Sequence, residues 1–270
     1  MRLDRVGSLL DLLIDLALPA RCPACEAPLD EGPTRFCGEC LDAVAPLSPP
    51  WCPRCGEPFA AAAADHPCGR CTANPPAFGV ARAAGRYEGL LLESIHRLKY
   101  GGDLVQAPAL AALLERALAA IDRVPAAAVF PSPLHVEIDP RPAPDLVVPV
   151  PLHPRRLRER GFNQAHLLAA EALRAGLLAP RTELEPGALR RMRETPPQTR
   201  LSRARRLENL RGAFEARTDR VRGRTVLLVD DVMTTGATME ACARALSRAG
   251  ARRVDAVAVA RVGAGTRVPV

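Results

Sequence analysis

Lysine is nearly missing from this chain: of 37 basic residues among 270, Lys99 is the single lysine and the other 36 are arginine. The P-loop that cradles nucleotide phosphates needs Lys followed by Ser or Thr after a glycine-rich turn. Lys99 precedes Tyr100, which excludes a Walker-type ATPase. No G-x-G-x-x-G follows a strand-like run, which argues against a dinucleotide fold and nicotinamide chemistry. Aromatic residues make up only 3% of the chain. Trp51 and Phe162 could each stack on a base, but a multi-base platform is not supported, and any DNA contact would be mainly electrostatic. Long apolar runs are missing too: Asp4, Asp11 and Asp15 break the Leu- and Ile-rich stretch from Met1 to Ala20 short of the ~18 residues of a membrane span. Within that stretch Leu9, Leu10, Leu13, Ile14 and Leu16 recur at helical spacing. Residues 1–19 are therefore expected to form an amphipathic helix docked on the rest of a cytoplasmic protein.

What is present is the composition of a folded chain, 48% hydrophobic and 25% charged, with length for one full core plus a small appended module. Its charge is segregated. Residues 1 to 75 hold 6 Arg against 10 Asp and Glu, a net −4, which leaves +11 on the remainder out of a total of +7. The densest stretch, Leu152 to Arg224, has 18 Arg and 8 acidic residues, a local +10 suited to polyanions or phosphorylated small molecules. A solvated arginine surface is the bland reading of the same stretch.

Eight of the nine cysteines form four Cys-x-x-Cys pairs: Cys22/Cys25, Cys37/Cys40, Cys52/Cys55 and Cys68/Cys71. Two thiolates two residues apart can turn round one tetrahedral ion, and similar spacers separate the first pair from the second and the third from the fourth, so two four-thiolate zinc sites are expected. Disulfides, an iron–sulfur cluster and crossed pairing between the halves are the competing arrangements. With no His among the eight ligands and no open position, the sites read as structural, each worth on the order of 10 kcal/mol of folding free energy. Gly38, Gly56 and Gly69 fall where a knuckle turn often needs a positive φ. His66 reads as a loop residue and Cys242 as a packed core residue.

Asn74-Pro75-Pro76 reads as a linker dividing a zinc module over residues 20–75 from an α/β unit over 78–265. In the latter, Phe78 to Tyr87 suggests a short strand pair, Leu90 to Tyr100 and Leu104 to Ile121 helices, and Val124 to Pro144 a Pro-rich connector. Leu146 to Val150 suggests a strand, Asn163 to Ala175 and Arg203 to Leu210 helices, Thr225 to Val229 a strand, Ala237 to Ala249 a helix and Val254 to Val259 a strand. Apolar strands alternating with helices predict a parallel sheet covered on both faces. The sharpest motif, Val226-Leu227-Leu228-Val229-Asp230-Asp231-Val232-Met233-Thr234-Thr235-Gly236-Ala237-Thr238, delivers two carboxylates to a strand's carboxyl end and then a Thr/Gly turn that starts a helix. Amides and hydroxyls of such a turn form an anion cradle. The carboxylates cannot bind phosphate, so they must face hydroxyl groups or Mg²⁺, and both can address one ligand because the strand is ending. A phosphorylated sugar fits that pattern.

This string resembles the ribose-phosphate-binding signature of type I phosphoribosyltransferases, which hold phosphoribosyl pyrophosphate (PRPP). Pro149-Val150-Pro151-Leu152-His153, then Arg160-Gly161-Phe162-Asn163-Gln164-Ala165, then Pro196-Pro197-Gln198-Thr199 with Arg206 and Asn209, all preceded by Cys-x-x-Cys pairs, look like the ComF family of competence-associated proteins. The resemblance spans Cys22 to about Val259. It implies a type I phosphoribosyltransferase-like domain behind a double zinc ribbon, with Asp230 and Asp231 on the ribose hydroxyls and Val232 and Thr234 to Thr238, including Thr235, Gly236 and Ala237, around the 5′-phosphate. It puts Pro151, Leu152 and His153 on the pyrophosphate and a hood over Arg190 to Arg206, where Gln198 and Arg200 stand and the lysine common in the related transferases is replaced by arginine. It implies PRPP with Mg²⁺ as ligand, and single-stranded DNA or a DNA-processing helicase as partner in DNA uptake, natural transformation or DNA processing. An active transferase with an unread acceptor is the alternative.

Overall fold

A computed structural model of the chain describes residues 20–29, 35–59, 64–124, 143–194 and 210–263. The helix expected over 1–19, most of the Pro-rich connector, the helix expected from Arg203 and the motif residues Gln198, Arg200, Arg206 and Asn209 lie outside the described residues. The Val- and Leu-rich runs form β2 (Leu146–Pro149), β6 (Thr225–Met233) and β7 (Arg253–Arg261), joined by the Ala- and Arg-rich β1 (Ala81–Arg86) and the two-residue β3 (Glu183–Leu184). They make one sheet in the order β1-β7-β6-β2-β3, every pair parallel. A separate antiparallel ribbon pairs β4 (Leu189–Arg191) with β5 (Phe214–Ala216).

Alternate residues of a strand face opposite ways, so each apolar run feeds two cores. On one face, which we call the first, Leu227, Val229, Val147 and Val257 meet Leu91, Ile95 and Leu98 of α3 (Gly89–Gly101), Leu110 of α4 (Gln106–Ala112), Leu114 of α5 (Leu114–Asp122) and Leu168 of α7 (Gln164–Arg174). On the second, Val226, Leu228, Leu146 and Ala256 meet Met239, Cys242 and Leu246 of α9 (Ala237–Arg248). The short helices α6 (Pro154–Arg160) and α8 (Thr218–Val221) follow β2 and β5.

The two Cys-rich segments carry α1 (Gly38–Asp42) and α2 (Gly69–Ala73) and straddle β1, the edge strand. Cys22, Phe36 and Val44 join the core of the first face; Cys52, Cys55, Cys68 and Cys71 join that of the second. The Ala81 N–H donates to Arg54 O at 2.8 Å and the Arg86 N–H to Ala45 O at 2.9 Å. An edge that would otherwise template association is thus covered by the protein's own backbone.

Several expectations are corrected. Phe78 to Tyr87 holds one strand, β1, rather than a pair: it is parallel to β7 from the far end of the chain, and its Gly85 serves close approach, since a Cβ there would sit 2.8 Å from Leu91 and Val44. Leu104 to Ile121 is two helices, because the ladder slips to an i+3 bond from the Arg116 N–H to Leu113 O. The strand expected over Thr225 to Val229 continues to Met233, so the acidic pair lies within β6 rather than beyond its end. Of the three knuckle glycines only Gly56 has a positive φ; Gly38 and Gly69 open α1 and α2. The strand expected over Val254 to Val259 also runs longer, over Arg253–Arg261.

Candidate functional site

The helices following β2 and β6 pack on opposite faces, so the crevice between the carboxyl ends of these two neighbouring strands is a topological switch point, the place where open α/β sheets bind ligands. β2 leaves the sheet at Pro149, opposite Val229, and the Val150 N–H makes the last bond, to Val229 O at 2.9 Å. From Asp230 onward β6 keeps its β7 neighbour and has no β2 partner. The acidic pair therefore stands on an opened strand edge although the strand goes on.

The two carboxylates take different faces. Asp231 is buried on the first face, paired with the Lys99 ammonium from the last turn of α3 and accepting from Gln164 Nε2 at 3.2 Å. Asp230, part-buried on the second face, lies near Arg191 of β4 and Cys242 of α9. Burial, then the Asp231 charge beside it, pushes the Asp230 carboxyl well above the usual carboxylate range. For Asp231 burial works in the same direction but is overridden by the charge and hydrogen bond of Lys99, so its carboxyl titrates below the ordinary value. Lys99 in turn is raised: burial, which would lower it, loses to Asp231.

The loop after β6 leaves hydrogen-bond donors open. Gly236 adopts φ +75 and starts α9 with no side-chain cap, so the first-turn amides keep their donors free of a side-chain partner. Thr235 Oγ1 is buried and has no partner among the described residues. Val232 lies in β6 just before this turn, Thr234 is within it, and Ala237 and Thr238 open α9. The neighbouring helix starts are self-capped: His153 Nδ1 accepts from the Arg155 N–H at 3.3 Å at the head of α6, and Asn163 Oδ1 from the Ala165 N–H at 3.0 Å at the head of α7. His153 thus works as a cap at the end of the Pro151-Leu152-His153 loop.

The Arg160-Gly161-Phe162-Asn163-Gln164 motif acquires physical roles. Gly161 closes α6 in the left-handed conformation, Phe162 packs on the first core, and Asn163 Nδ2 donates to Val150 O at 3.1 Å, holding the loop after β2. Arg160 donates to Gln164 Oε1 at 2.6 Å and lies over the exposed Tyr100 ring, so Gln164 is oriented to offer its amide to Asp231. Lys99 and Tyr87 are site neighbours that residue patterns did not reveal, whereas Arg191 falls within the stretch expected as a hood. The one available signal was Lys99 itself, a lone lysine in an arginine-rich chain.

At the ribbons, Cys22, Cys25, Cys37 and Cys40 bring four sulfurs within 4.8 Å of one another, as do Cys52, Cys55, Cys68 and Cys71. A tetrahedral Zn–S distance of ~2.3 Å puts sulfurs ~3.8 Å apart; Cys25 and Cys37 are 3.6 Å apart, Cys55 and Cys68 3.8 Å. In both, the amide of the third ligand donates to the first sulfur, Cys37 N–H to Cys22 Sγ and Cys68 N–H to Cys52 Sγ, each at 3.4 Å. The all-sulfur donor set fits zinc, and the ligands pair consecutively rather than crossed. Trp51 lies under the Arg82 guanidinium and His66, in its loop, stacks on Phe59, so Trp51 is engaged within the protein.

A parallel phosphoribosyltransferase-like sheet carrying two four-cysteine zinc ribbons defines the class of protein. The double zinc ribbon domain model matches residues 13–72 and the phosphoribosyl transferase domain model residues 189–270. The chain belongs to the ComF family. It is 35% identical over 240 residues, 89% of this chain and 96% of the relative, to the DNA utilization protein YhgH of Escherichia coli. It is 29% identical over 243 residues, with the same coverage, to Competence protein F of Haemophilus influenzae. Over 107 residues, 39% of each chain, it is 35% identical to Competence protein ComFC of Bacillus subtilis. No helix among the described residues is long and apolar enough to cross a membrane.

Proposed function

We propose that the crevice between β2 and β6 binds PRPP with Mg²⁺, and that the protein uses this ligand in DNA utilisation of the kind its relatives are named for. One observation carries the reading: an acidic pair on an opened strand edge is followed at once by an uncapped 12-residue helix start and a buried, unpartnered Thr235 hydroxyl. Asp230 and Asp231 would take the ribose hydroxyls, Thr234 to Thr238 the 5′-phosphate, and Val150 to His153 the pyrophosphate end. Mg²⁺, arriving with the ligand, supplies charge neutralisation at the pyrophosphate. Single-stranded DNA or a DNA-processing helicase would meet the arginine-rich part rather than the acidic residues 1 to 75, and its affinity would fall steeply with salt.

The test is calorimetric titration of PRPP and Mg²⁺ into the parent and into Asp230→Asn/Asp231→Asn. Binding by the parent and its loss in the variant support the reading; equal affinity rejects it. Transfer to an acceptor is the second reading, favoured by Arg191 at the root of the β4–β5 ribbon close to Asp230, where a guanidinium can stabilise a leaving pyrophosphate. Pyrophosphate release in the presence of nucleobases or amines identifies turnover, and tight binding without release identifies a sensor.

A further inference from the structure

Asp231 is fixed from two sides, and both sides are unusual for a surface ligand site. From α7, Gln164 reaches it as the last link of an Arg160–Gln164–Asp231 chain. From α3 comes Lys99, whose side chain is only 15% exposed. A flexible four-carbon side chain loses rotamer freedom and hydration when buried, so its seat must be held by its surroundings. Those surroundings trace to the first ribbon. Pro23 O, between the ligands Cys22 and Cys25, accepts from Arg97 Nη1 at 2.7 Å and from Gln106 Nε2 at 2.8 Å. Arg97 also pairs with Asp103 at 2.8 Å, and Gln106 donates to Asp103 at 3.0 Å. Arg97 and Gln106 bracket the end of α3 and its left-handed cap Gly102, so one carbonyl of the zinc knuckle pins both ends of the segment that ends α3 and carries Lys99.

Resting on the phosphoribosyl reading above, we infer that Lys99 is a positioning residue for Asp231, holding that carboxylate against the sugar hydroxyls, and that the first zinc ribbon sets the seat of Lys99 through Arg97 and Gln106. The role differs from that of a phosphate-binding lysine, since the ammonium is spent on Asp231. It also gives the first ribbon a task in ligand recognition besides covering the sheet edge.

A positioned carboxylate discriminates by hydroxyl groups, and that separates this role from a merely structural one. Ribose 5-phosphate and 2-deoxyribose 5-phosphate, each titrated calorimetrically into the full zinc-loaded chain, differ only in a hydroxyl. A hydrogen bond from that hydroxyl to a charged acceptor gives the parent a preference for ribose of about tenfold or more. In Lys99→Met that preference falls to near unity while phosphate-dependent binding of both sugars persists. Lys99→Arg recovers it at least in part. Gln106→Leu, which cuts a ribbon contact without touching a zinc ligand, lowers it to an intermediate value with two zinc ions still bound per chain. Should Lys99→Met fail to fold, the Lys99→Arg and Gln106→Leu results carry the test. Undiminished ribose preference in Lys99→Met, or in Gln106→Leu where the methionine variant does not fold, overturns the inference and leaves the phosphoribosyl reading standing. A parent that binds neither sugar phosphate overturns that reading and the inference together.

Discussion

On the first face of the sheet a ribbon with an exposed ligand, Cys25, meets the domain through Cys22, Phe36 and Val44 in the core, Ala45 O on β1 and Pro23 on α3, and shares its side with Asp231. On the second face the other ribbon has Cys52, Cys55, Cys68 and Cys71 buried and shares its side with Asp230. The second is locked from the sheet itself: Arg82 of β1 donates to Pro53 O at 3.0 Å, and Arg261 of β7 donates to Cys55 O at 2.9 Å and pairs with Glu57. Arg70 adds a contact to Cys55 Sγ at 3.4 Å. Both near-repeats enter the core, the second with all four ligands buried and the first with Cys25 exposed and Pro23 bracketing the end of α3 on the Asp231 side. Buried guanidiniums beside four thiolates also offset the net negative charge of a four-thiolate zinc site.

Removing a ligand is the largest perturbation of that contrast. Cys55→Ser should abolish the second site, and a zinc contribution on the order of 10 kcal/mol is comparable with the whole stability of a domain. Cooperative thermal unfolding of the sheet is therefore expected to disappear. Cys25→Ser should lose one zinc and leave the main transition in place, and a chelating dye should strip the first site of the parent before the second. Elemental analysis with calorimetric melting measures both, and equal damage from the two substitutions would dissolve the distinction between the ribbons.

A finer cut uses the arginines. Arg261 is 1% exposed, and Arg261→Met leaves Glu57 and the carbonyl of Cys55 without their buried donor; a loss of about 3–5 kcal/mol in urea unfolding is expected. Arg97, half exposed, should cost about 1 kcal/mol when replaced by Met. Reversed magnitudes would mean that the first ribbon, not the second, is the structural one.

The two aspartates extend the comparison to the site. Asp231→Asn strands a buried Lys99 and should destabilise by about 3 kcal/mol, whereas Asp230→Asn removes a carboxylate that folding disfavours and should leave stability unchanged or raised at neutral pH. The signs follow from linkage. Folded Asp230 keeps a proton that the unfolded chain releases near pH ~4, so stability declines as pH rises from there through its raised value. Folded Asp231 titrates low, so its contribution is present above the ordinary carboxylate value and is lost as pH falls through its own. Urea unfolding across pH should show the decline on the alkaline side of that window flattened in Asp230→Asn, and a curve unchanged from the parent's would contradict the assignment.

What the amino-acid sequence disclosed was local chemistry. Four Cys-x-x-Cys pairs, the Asp-Asp-Val-Met-Thr-Thr-Gly turn and the Arg-Gly-Phe-Asn-Gln run are contiguous, and their roles depend on neighbours a few residues away. The Lys99–Asp231 pair joins α3 to β6, and nothing near either residue announces the other. The extent of β6 was misjudged because Asp230 and Asp231 end the apolar run while β7 keeps pairing with it as far as Met233. Phe78 to Tyr87 suggested a strand pair for a similar reason: the partner of β1 is β7 from the far end of the chain, and the side chains of Leu91 and Val44 that exclude a Cβ at Gly85 come from other segments. Long-range packing, rather than residue type, decided each of these points.

A last comparison sets the ribbons side by side at one backbone position. After the second ligand of each first pair the chain enters the left-handed region, Gly56 at φ +68 and Glu26 at φ +62. A Cβ at Gly56 would sit 2.7 Å from Ala81 O, where the buried ribbon presses against β1. Gly56→Ala therefore meets both the left-handed penalty of roughly 1–2 kcal/mol and a backbone clash, and a loss of about 2 kcal/mol or more is expected. Glu26, on the exposed ribbon, already bears the conformational part, so Glu26→Gly relieves strain while loosening the unfolded chain. The two terms offset, and a change within about 1 kcal/mol is expected. Unequal responses of paired positions, read by urea unfolding of the zinc-loaded chain, follow from Gly56 facing the β1 backbone while Glu26 already holds a positive φ; a Gly56→Ala protein as stable as the parent would show that the second ribbon is not pressed there.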